Sequence, residues 1–126
     1  MKQHKILIVE DEPNLLELYR MALERAGFEV FTAVNGEVGF MLAKSNPPDL
    51  VLLDILMPKV DGYEMLRRVK AEATTKNVPV IIFSNLSQKE EIEKGLKLGA
   101  ADFIIKTSIT PTAMVEKVKQ WVAGQG

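Results

Sequence analysis

Five short apolar segments alternate with five amphipathic segments along the 126-residue chain, and this alternation constrains the fold more than any other feature. The apolar segments have the composition of buried strands, and apolar residues recur at helical spacing between them. Strict alternation of this kind favours a parallel sheet covered by helices on both faces. The predicted strands cover residues 5–9, 28–33, 49–54, 78–84 and 101–105.

Polar residues mark where the predicted helices begin and end. Pro13 suits the first turn of the first helix, Glu12 favours the positive end of its dipole, and Gly27 ends it. The later helices begin at Asn35-Gly36, at the capping-box pairs Asp61 with Glu64 and Ser87 with Glu90, and at Thr110-Pro111.

The order of the strands follows from how such units connect. Right-handed crossovers and this chain length fit an α/β, doubly wound (βα)5 flavodoxin-like fold with a five-stranded parallel sheet in the order 2-1-3-4-5. No linker, repeat or low-complexity segment interrupts the pattern. We therefore expect a single domain over residues 1–126.

Composition excludes several classes of function. The 16 basic and 17 acidic residues give a net charge of −1, which does not favour direct nucleic-acid binding. The absence of cysteine excludes disulfides and thiol chemistry. The N-terminal apolar run is short and turns acidic at once, so it is neither a signal peptide nor a membrane span. We expect a cytoplasmic protein without membrane insertion.

Residues 50–58, LVLLDILMP, place Asp54 at the end of a strand that should be buried on both faces. A carboxylate there is costly to desolvate unless it meets a cation, hydrogen bonds or an open cleft. In the predicted order, strands one and three meet at the topological switch point, where such folds bind ligands. The residues that converge there are Glu10, Asp11 and Asp54, with Ser84 and Lys106 beside them.

A single acidic residue at a strand end is most often a solvated loop charge, but three together require a counter-charge. Two carboxylates ~4 Å apart repel by about 4 kcal/mol at an effective dielectric constant of ~20. All-oxygen ligands predict a hard cation, most plausibly Mg²⁺. A metal, a further carboxylate and a lysine suit phosphoryl transfer. Since no Gly-rich phosphate-binding loop is present, the expected donor is a protein or a small phosphodonor.

Several spaced motifs carry a resemblance to a known family. With ILIVEDEP, LVLLDILMPKVDG, the strand end at Ser84 and GAADFIIKT, the chain resembles the receiver domain of two-component response regulators over essentially its whole length. The resemblance implies that Asp54 takes a phosphoryl group from a sensor histidine kinase or a His-phosphotransfer protein. It implies signalling to a downstream protein, which the sequence does not identify, as a monomer or a phosphorylation-dependent dimer.

The resemblance also implies roles for the surrounding residues. Ser84 and Lys106 would contact the phosphoryl group, and Ser84 and Phe103 would form a conformational switch. That switch would act on the face made by the fourth helix, the fifth strand and the fifth helix. The implied Mg²⁺ ligands are Glu10, Asp11, Asp54 and the backbone carbonyl of Leu56.

Four departures from the family pattern involve five positions. Glu10 stands where many members have Asp, and Asn85 stands where a small residue is usual, which would narrow access to Asp54. Thr107 follows the lysine where many members have a proline after a cis bond. Because a non-proline cis bond costs ~2.5–4 kcal/mol, we predict a trans Lys106–Thr107 bond and an altered following loop. Finally, Leu56 and Leu86 flank the site and cannot orient a water, which predicts slow self-dephosphorylation.

Other functions fit the sequence less well. An aspartyl phosphohydrolase would need a second Asp two residues after Asp54, where Leu56 stands. A receiver-like module that is not phosphorylated would not need the complete acidic set. His4, the only histidine, precedes the first strand, unlike the histidine of a phosphotransfer protein. Because no output domain follows Gly126, we expect a stand-alone receiver.

The alternating charges of the fourth helix (Lys89, Glu90, Glu93, Lys94 and Lys97) are interpreted as a solvated face or part of a partner surface.

Overall fold

The computed structural model describes residues 3–55, 61–85 and 88–124. Strands and helices alternate along the chain as predicted. The strands are β1 (Lys5–Val9), β2 (Glu29–Ala33), β3 (Leu50–Leu53), β4 (Val80–Ser84) and β5 (Asp102–Ile105). The helices are α1 (Pro13–Arg25), α2 (Gly36–Ser45), α3 (Gly62–Ala71), α4 (Lys89–Lys97) and α5 (Pro111–Ala123), with a single 3₁₀ turn at Lys106–Ser108.

The strands form one parallel sheet in the order β2-β1-β3-β4-β5. This confirms the predicted flavodoxin-like topology, with its switch point between β1 and β3. The central strands β1, β3 and β4 are buried, while the edge strand β2 is half-exposed. No helix in the described ranges is long and apolar enough to cross a membrane.

Each buried strand supplies both layers of the core, because consecutive side chains point to opposite faces of a sheet. In β1, Ile6 and Ile8 join α1 and α5 in one apolar cluster, and Leu7 and Val9 join α2 and α3 in the other. This is why the strands are continuous apolar runs rather than alternating ones. Full burial of a Leu or Ile side chain stabilises the fold by about 1.5–3 kcal/mol. The two layers of the core therefore hold the carboxyl ends of the strands in place.

The first predicted strand matches β1, and the other four begin one or two residues too early. The run 78–84 becomes a strand only at Val80, because Pro79 has no N–H and the Val78 N–H donates to Thr75 in a preceding turn. Before β3, Asp49 exchanges two hydrogen bonds with Lys5: its N–H donates to the Lys5 carbonyl at 2.8 Å, and its carboxylate accepts the Lys5 N–H at 2.7 Å. At the other end of β3, the ladder stops before Asp54.

Most predicted helix starts carry the expected side-chain cap. The carboxylate of Glu64 does not complete its capping box but pairs with Arg67 and Arg68. Helix α4 begins at Lys89 with Gln88 at its N-cap and no side-chain cap hydrogen bond, while the predicted cap Ser87 lies outside the described residues. The caps that form are Glu12 on Leu15 N–H (2.7 Å), Asn35 on Val38 N–H (2.9 Å), Asp61 on Glu64 N–H (2.9 Å) and Thr110 on Ala113 N–H (3.1 Å).

Candidate functional site

Four buried polar side chains lie at the carboxyl-terminal edge of the sheet. Glu10 follows β1, Asp54 follows β3, Ser84 ends β4 and Lys106 follows β5. They are only 2%, 7%, 0% and 9% exposed, respectively. Asp11 is exposed next to them. Buried polar groups need partners, so their convergence at the switch point marks the edge as the candidate site.

Lys106 connects the two buried carboxylates. Its Nζ donates to Asp54 Oδ2 at 3.0 Å and to Glu10 Oε1. The second oxygen of Glu10 accepts the backbone N–H of Glu12 at 3.1 Å, which ties the carboxylate to the start of α1. The sequence predicted these residues together, but it did not predict that one ammonium would bond both carboxylates.

Burial and charge oppose each other in this cluster. Burial raises the pKa of the Glu10 carboxyl above its ordinary value, and hydrogen bonds from Lys106 and the Glu12 N–H only partly offset that rise. Burial by itself would lower the pKa of Lys106, but the hydrogen bonds and charges of Glu10 and Asp54 outweigh it and leave that pKa raised. Lys106 is therefore cationic at neutral pH, and Glu10 holds a proton more readily than an exposed glutamate does.

The acidic cluster has the dimensions of a hard-cation site. One carboxylate oxygen each from Glu10, Asp11 and Asp54 lie within 4.8 Å of one another. Ligand oxygens 2.0–2.1 Å from an octahedral Mg²⁺ are at most about 4.2 Å apart, so small side-chain movements bring all three within reach of one ion. One ammonium does not balance three carboxylates. The residues present therefore fit a divalent cation with oxygen ligands.

Ser84 and Phe103 lie on the same face of the sheet. Ser84 pairs with Ile105 in the ladder, and Phe103 pairs with Ile82 two positions earlier. The Phe103 ring is partly buried against the second core cluster, beside Gly95 of α4. The predicted switch pair thus runs from the candidate site, at Ser84, to the neighbourhood of α4, at Phe103.

The predicted geometry of the peptide bond after Lys106 is confirmed. The Lys106–Thr107 peptide bond is trans, and the described residues contain no cis bond. The lysine begins the 3₁₀ turn that leads into α5. Asn85, predicted to narrow access to Asp54, is exposed, and its Oδ1 accepts the Thr107 N–H at 3.1 Å.

Two predicted site positions lie outside the part of the chain that the structure describes. Leu56, whose carbonyl the resemblance assigned to the metal, lies outside the described residues, as does Leu86. His4 lies at the opposite end of the sheet, with its Nδ1 3.7 Å from the Asp49 carboxylate.

Gly62 is a site residue that the sequence reasoning missed. Its N–H donates to the Ile55 carbonyl at 3.1 Å, so the start of α3 lies directly against the end of β3. A Cβ at this position would lie 2.5 Å from the Asp54 carbonyl oxygen and 2.5 Å from Ile55 Cα. Only glycine allows this approach, which fixes the backbone that carries Asp54. The available signal is the glycine itself, directly after the predicted helix cap Asp61.

Tyr63 forms a second contact that the sequence did not predict. Its hydroxyl donates to the Glu91 carbonyl at 3.0 Å and to Glu91 Oε2 at 2.6 Å. The Lys94 ammonium lies 4.3 Å from the centre of the Tyr63 ring. Lys94 is therefore more than a solvated charge, because it helps to attach α4 to α3.

Comparison with known proteins shows which family the chain resembles in sequence. A model of the family described as "Response regulator receiver domain" matches residues 6–119. The chain is 37% identical over 102 residues to the DNA-binding dual master transcriptional regulator RpaA of Synechocystis sp., covering 81% of this chain and 42% of RpaA. It is also 37% identical over 110 residues to the phosphate regulon transcriptional regulatory protein PhoB of Rhizobium meliloti, covering 87% of this chain and 48% of PhoB.

A solved structure agrees with these matches. The receiver domain of the Francisella response regulator 1452 superposes with a TM-score of 0.90 at 25% identity, covering 98% of this chain and 100% of that domain. In contrast, the chain spans less than half the length of RpaA and PhoB.

Proposed function

The chain belongs to the response regulator receiver domain family, and we propose that Asp54 is the residue on which it accepts a phosphoryl group. Receivers of this family are phosphoacceptors in two-component signalling rather than classical enzymes. The observation that carries the assignment is the position of Asp54. It is buried at the switch point, 3.0 Å from the Lys106 ammonium and within 4.8 Å of the Glu10 and Asp11 carboxylates.

The proposed metal is Mg²⁺, held by Glu10, Asp11, Asp54 and the backbone carbonyl of Leu56. The fit of the three carboxylates to a small hard cation supports this assignment. When bound, Mg²⁺ would neutralise negative charge on the phosphoryl oxygens and on the acidic cluster. Glu10, which is longer by one methylene than Asp, also reaches Lys106 and the Glu12 N–H, so it would hold both the ion and the lysine.

In the proposed reaction an Asp54 carboxylate oxygen attacks the phosphorus of a phosphohistidine. The new O–P bond forms as the P–N bond to the donor imidazole breaks, and the leaving nitrogen keeps the electron pair of that bond and takes up a proton. Lys106, cationic and adjacent, would pair with a phosphoryl oxygen, and Ser84 would donate a hydrogen bond to another. Catalysis would thus consist of positioning and charge neutralisation.

We further propose that phosphorylation is read out on the face formed by α4, β5 and α5. The Ser84 hydroxyl, drawn toward the phosphoryl group, would leave space for the Phe103 ring to turn inward. The shared face of these two residues and the proximity of Phe103 to Gly95 in α4 support this path. The partner on that face would be a protein, and the donor would be a histidine kinase or His-phosphotransfer protein in the cytoplasm.

Incubation with Mg²⁺ and acetyl phosphate or phosphoramidate, followed by intact-mass measurement, tests the proposal. We expect a gain of one phosphoryl group in the wild-type chain and none in Asp54→Asn. Asp49→Asn is the matched control, because Asp49 lies at the opposite end of the sheet and Asn keeps the oxygen that accepts the Lys5 N–H. Phosphorylation of Asp54→Asn, or none of the wild type, would refute the assignment.

The lifetime of the phosphorylated form is a separate part of the proposal. The residues two positions after Asp54 and Ser84 in the sequence are Leu56 and Leu86, and a leucine side chain cannot orient a water for attack on phosphorus. We expect slow loss of the phosphoryl group after the donor is removed, followed by intact mass against time. A half-life of only seconds without a phosphatase would contradict this expectation.

A further inference from the structure

Two loops at the candidate site are joined by a hydrogen bond between side chain and backbone. Asn85 follows Ser84 at the end of β4, and Thr107 follows Lys106 after β5. The Asn85 Oδ1 accepts the Thr107 N–H at 3.1 Å, although the two residues are 22 positions apart in the chain. This bond, which we call the β4–β5 latch, connects the residues that come directly after Ser84 and Lys106.

The latch satisfies a backbone group that the local structure leaves open. Thr107 lies in the 3₁₀ turn Lys106–Ser108, and the first N–H groups of a helical turn have no acceptor within the turn. The Asn85 carboxamide supplies that acceptor from the neighbouring strand. A proline at position 107 would lack the N–H, so the bond depends on the residue that this chain has there.

The latch also extends the connection between the two strands. The last residue pair of the β4–β5 ladder is Ser84 with Ile105. Beyond it, Lys106 turns away from the strand to reach Glu10 and Asp54. Ser84 and Lys106, which contact the proposed phosphoryl group, are thus enclosed by two connections between the strands. The ladder pair Ser84–Ile105 precedes Lys106, and the Asn85–Thr107 bond follows both residues.

We propose that Asn85 is a positioning residue for phosphoryl-group recognition. Through the latch it fixes the separation of Ser84 and Lys106, so that hydroxyl and ammonium are arranged for two oxygens of one phosphoryl group. This inference rests on the proposed function of Asp54. Catalytic and binding groups lose effect when their supporting contacts are loosened by even an ångström. Glu10 is also held by the Glu12 N–H, and the Asp54 backbone by the Val9 carbonyl, so we expect metal binding to depend on the latch less than phosphoryl-group recognition does.

The test compares two equilibria in the same protein. Mg²⁺ affinity is measured by calorimetric titration, and the affinity for beryllofluoride, a phosphoryl-group mimic, is measured at saturating Mg²⁺. Loss of one neutral hydrogen bond corresponds to a change of roughly three- to ten-fold in an equilibrium constant. We expect Asn85→Ala to weaken beryllofluoride binding by that factor and to leave Mg²⁺ affinity within about two-fold of the wild type.

Thr107→Ala is the matched control, because it removes a neighbouring side chain of similar exposure and keeps the backbone N–H of the latch. We expect it to bind beryllofluoride as the wild type does. Amide hydrogen exchange at Thr107 reports the latch itself and should speed up in Asn85→Ala. Asn85→Asp keeps an acceptor oxygen at the same reach, so it should retain slow exchange.

The possible outcomes separate this proposal from the function on which it rests. Unchanged or tighter beryllofluoride binding in Asn85→Ala would overturn the latch, as would an equal loss of Mg²⁺ and beryllofluoride affinity, which indicates general loosening. A wild-type chain that binds Mg²⁺ but neither accepts phosphoryl groups nor binds beryllofluoride would overturn the proposed function as well.

Discussion

At the scale of single residues, Lys106 is the counter-charge on which the acidic edge depends. Its ammonium bonds Glu10 and Asp54, and all three side chains are almost fully withdrawn from water. A buried charge pair contributes little net stability compared with apolar residues, but removing one partner leaves the other charge uncompensated. In the absence of metal, the stability of the site should therefore be most sensitive to the loss of the Lys106 ammonium.

Lys106→Met is expected to lower the free energy of unfolding at neutral pH by about 3–5 kcal/mol in EDTA. Acidification should reduce this loss. Burial already raises the folded-state pKa of Glu10, and removing the ammonium raises it further, so protonation as the pH falls stabilises the folded variant. Denaturant unfolding at pH 7.5 and pH 5.5 measures both effects.

The control for that experiment is Lys44→Met, which removes an exposed lysine 3.8 Å from Glu72. An exposed pair is worth at most about 1 kcal/mol, so this variant should remain close to the wild type at both pH values. Equal losses in the two variants would mean that the buried pair has no special role.

Gly62→Ala is expected to destabilise the fold by about 1–3 kcal/mol, because the added Cβ overlaps backbone atoms of Asp54 and Ile55 that cannot move aside like a flexible side chain. Mg²⁺ affinity should also fall, since the displaced backbone carries Asp54. Gly124→Ala is the control, with its nearest atoms at 3.6 Å. Denaturant unfolding and calorimetry provide the two measurements, and an unaffected Gly62→Ala would contradict the close approach.

At the scale of elements, α4 is the helix with the weakest attachment among those described. Gly95 is its one buried residue, and its N-terminus has no side-chain cap. The Tyr63 hydroxyl and ring add two contacts to this helix, with Glu91 and Lys94. Elements with few buried contacts open at low free-energy cost, which suits a helix proposed to transmit a switch.

Tyr63→Phe should speed amide hydrogen exchange in α4 by roughly five- to ten-fold, since it removes hydrogen bonds worth about 1 kcal/mol. Tyr19→Phe is the control, because Tyr19 packs on Phe83 in the other core layer. Uniform exchange rates in α4 across these proteins would show that Tyr63 does not anchor the helix.

The same substitution has a pH signature. Burial, together with the hydrogen bond to Glu91 and its charge, raises the pKa of Tyr63 above its usual 10.0. The unfolded chain therefore loses this proton first, and wild-type stability should fall as the pH rises past about 10. Tyr63→Phe lacks the titrating group, so the stability difference between the two proteins should shrink over that range in denaturant unfolding.

At the scale of the whole molecule, the electrostatic repulsion within the acidic cluster is linked to the stability of the fold. The cluster joins the ends of β1 and β3 at the centre of the sheet, so an ion bound there contacts only the folded state. A ligand that binds only the native state stabilises it by mass action. The fold should thus gain stability from the metal that the site is proposed to hold.

Mg²⁺ at about 100 times its Kd is expected to add about 2.7 kcal/mol, which raises Tm by on the order of 10 °C. Asp11→Asn should stabilise the metal-free protein, because it relieves like-charge repulsion; Asp11 is exposed, so this repulsion is about 1 kcal/mol, as in water, rather than the larger value for buried charges. The same substitution should reduce the shift caused by Mg²⁺. Thermal unfolding in EDTA and in Mg²⁺, with Asp49→Asn as control, measures these changes. An Asp11→Asn protein with the wild-type Tm in both conditions would contradict them.

The sequence by itself determined the fold class, the strand order and the acidic edge. These follow from apolar periodicity and from the polar residues that end each strand, and both are local properties that parallel topology then gathers at one edge. Only the tertiary structure decided which groups pair there. Lys106 with Glu10, Asn85 with Thr107, Tyr63 with Glu91 and Gly62 against Asp54 each join different elements. These contacts depend on side-chain distances that packing sets to within an ångström. The periodicity of apolar residues in the sequence does not specify such distances.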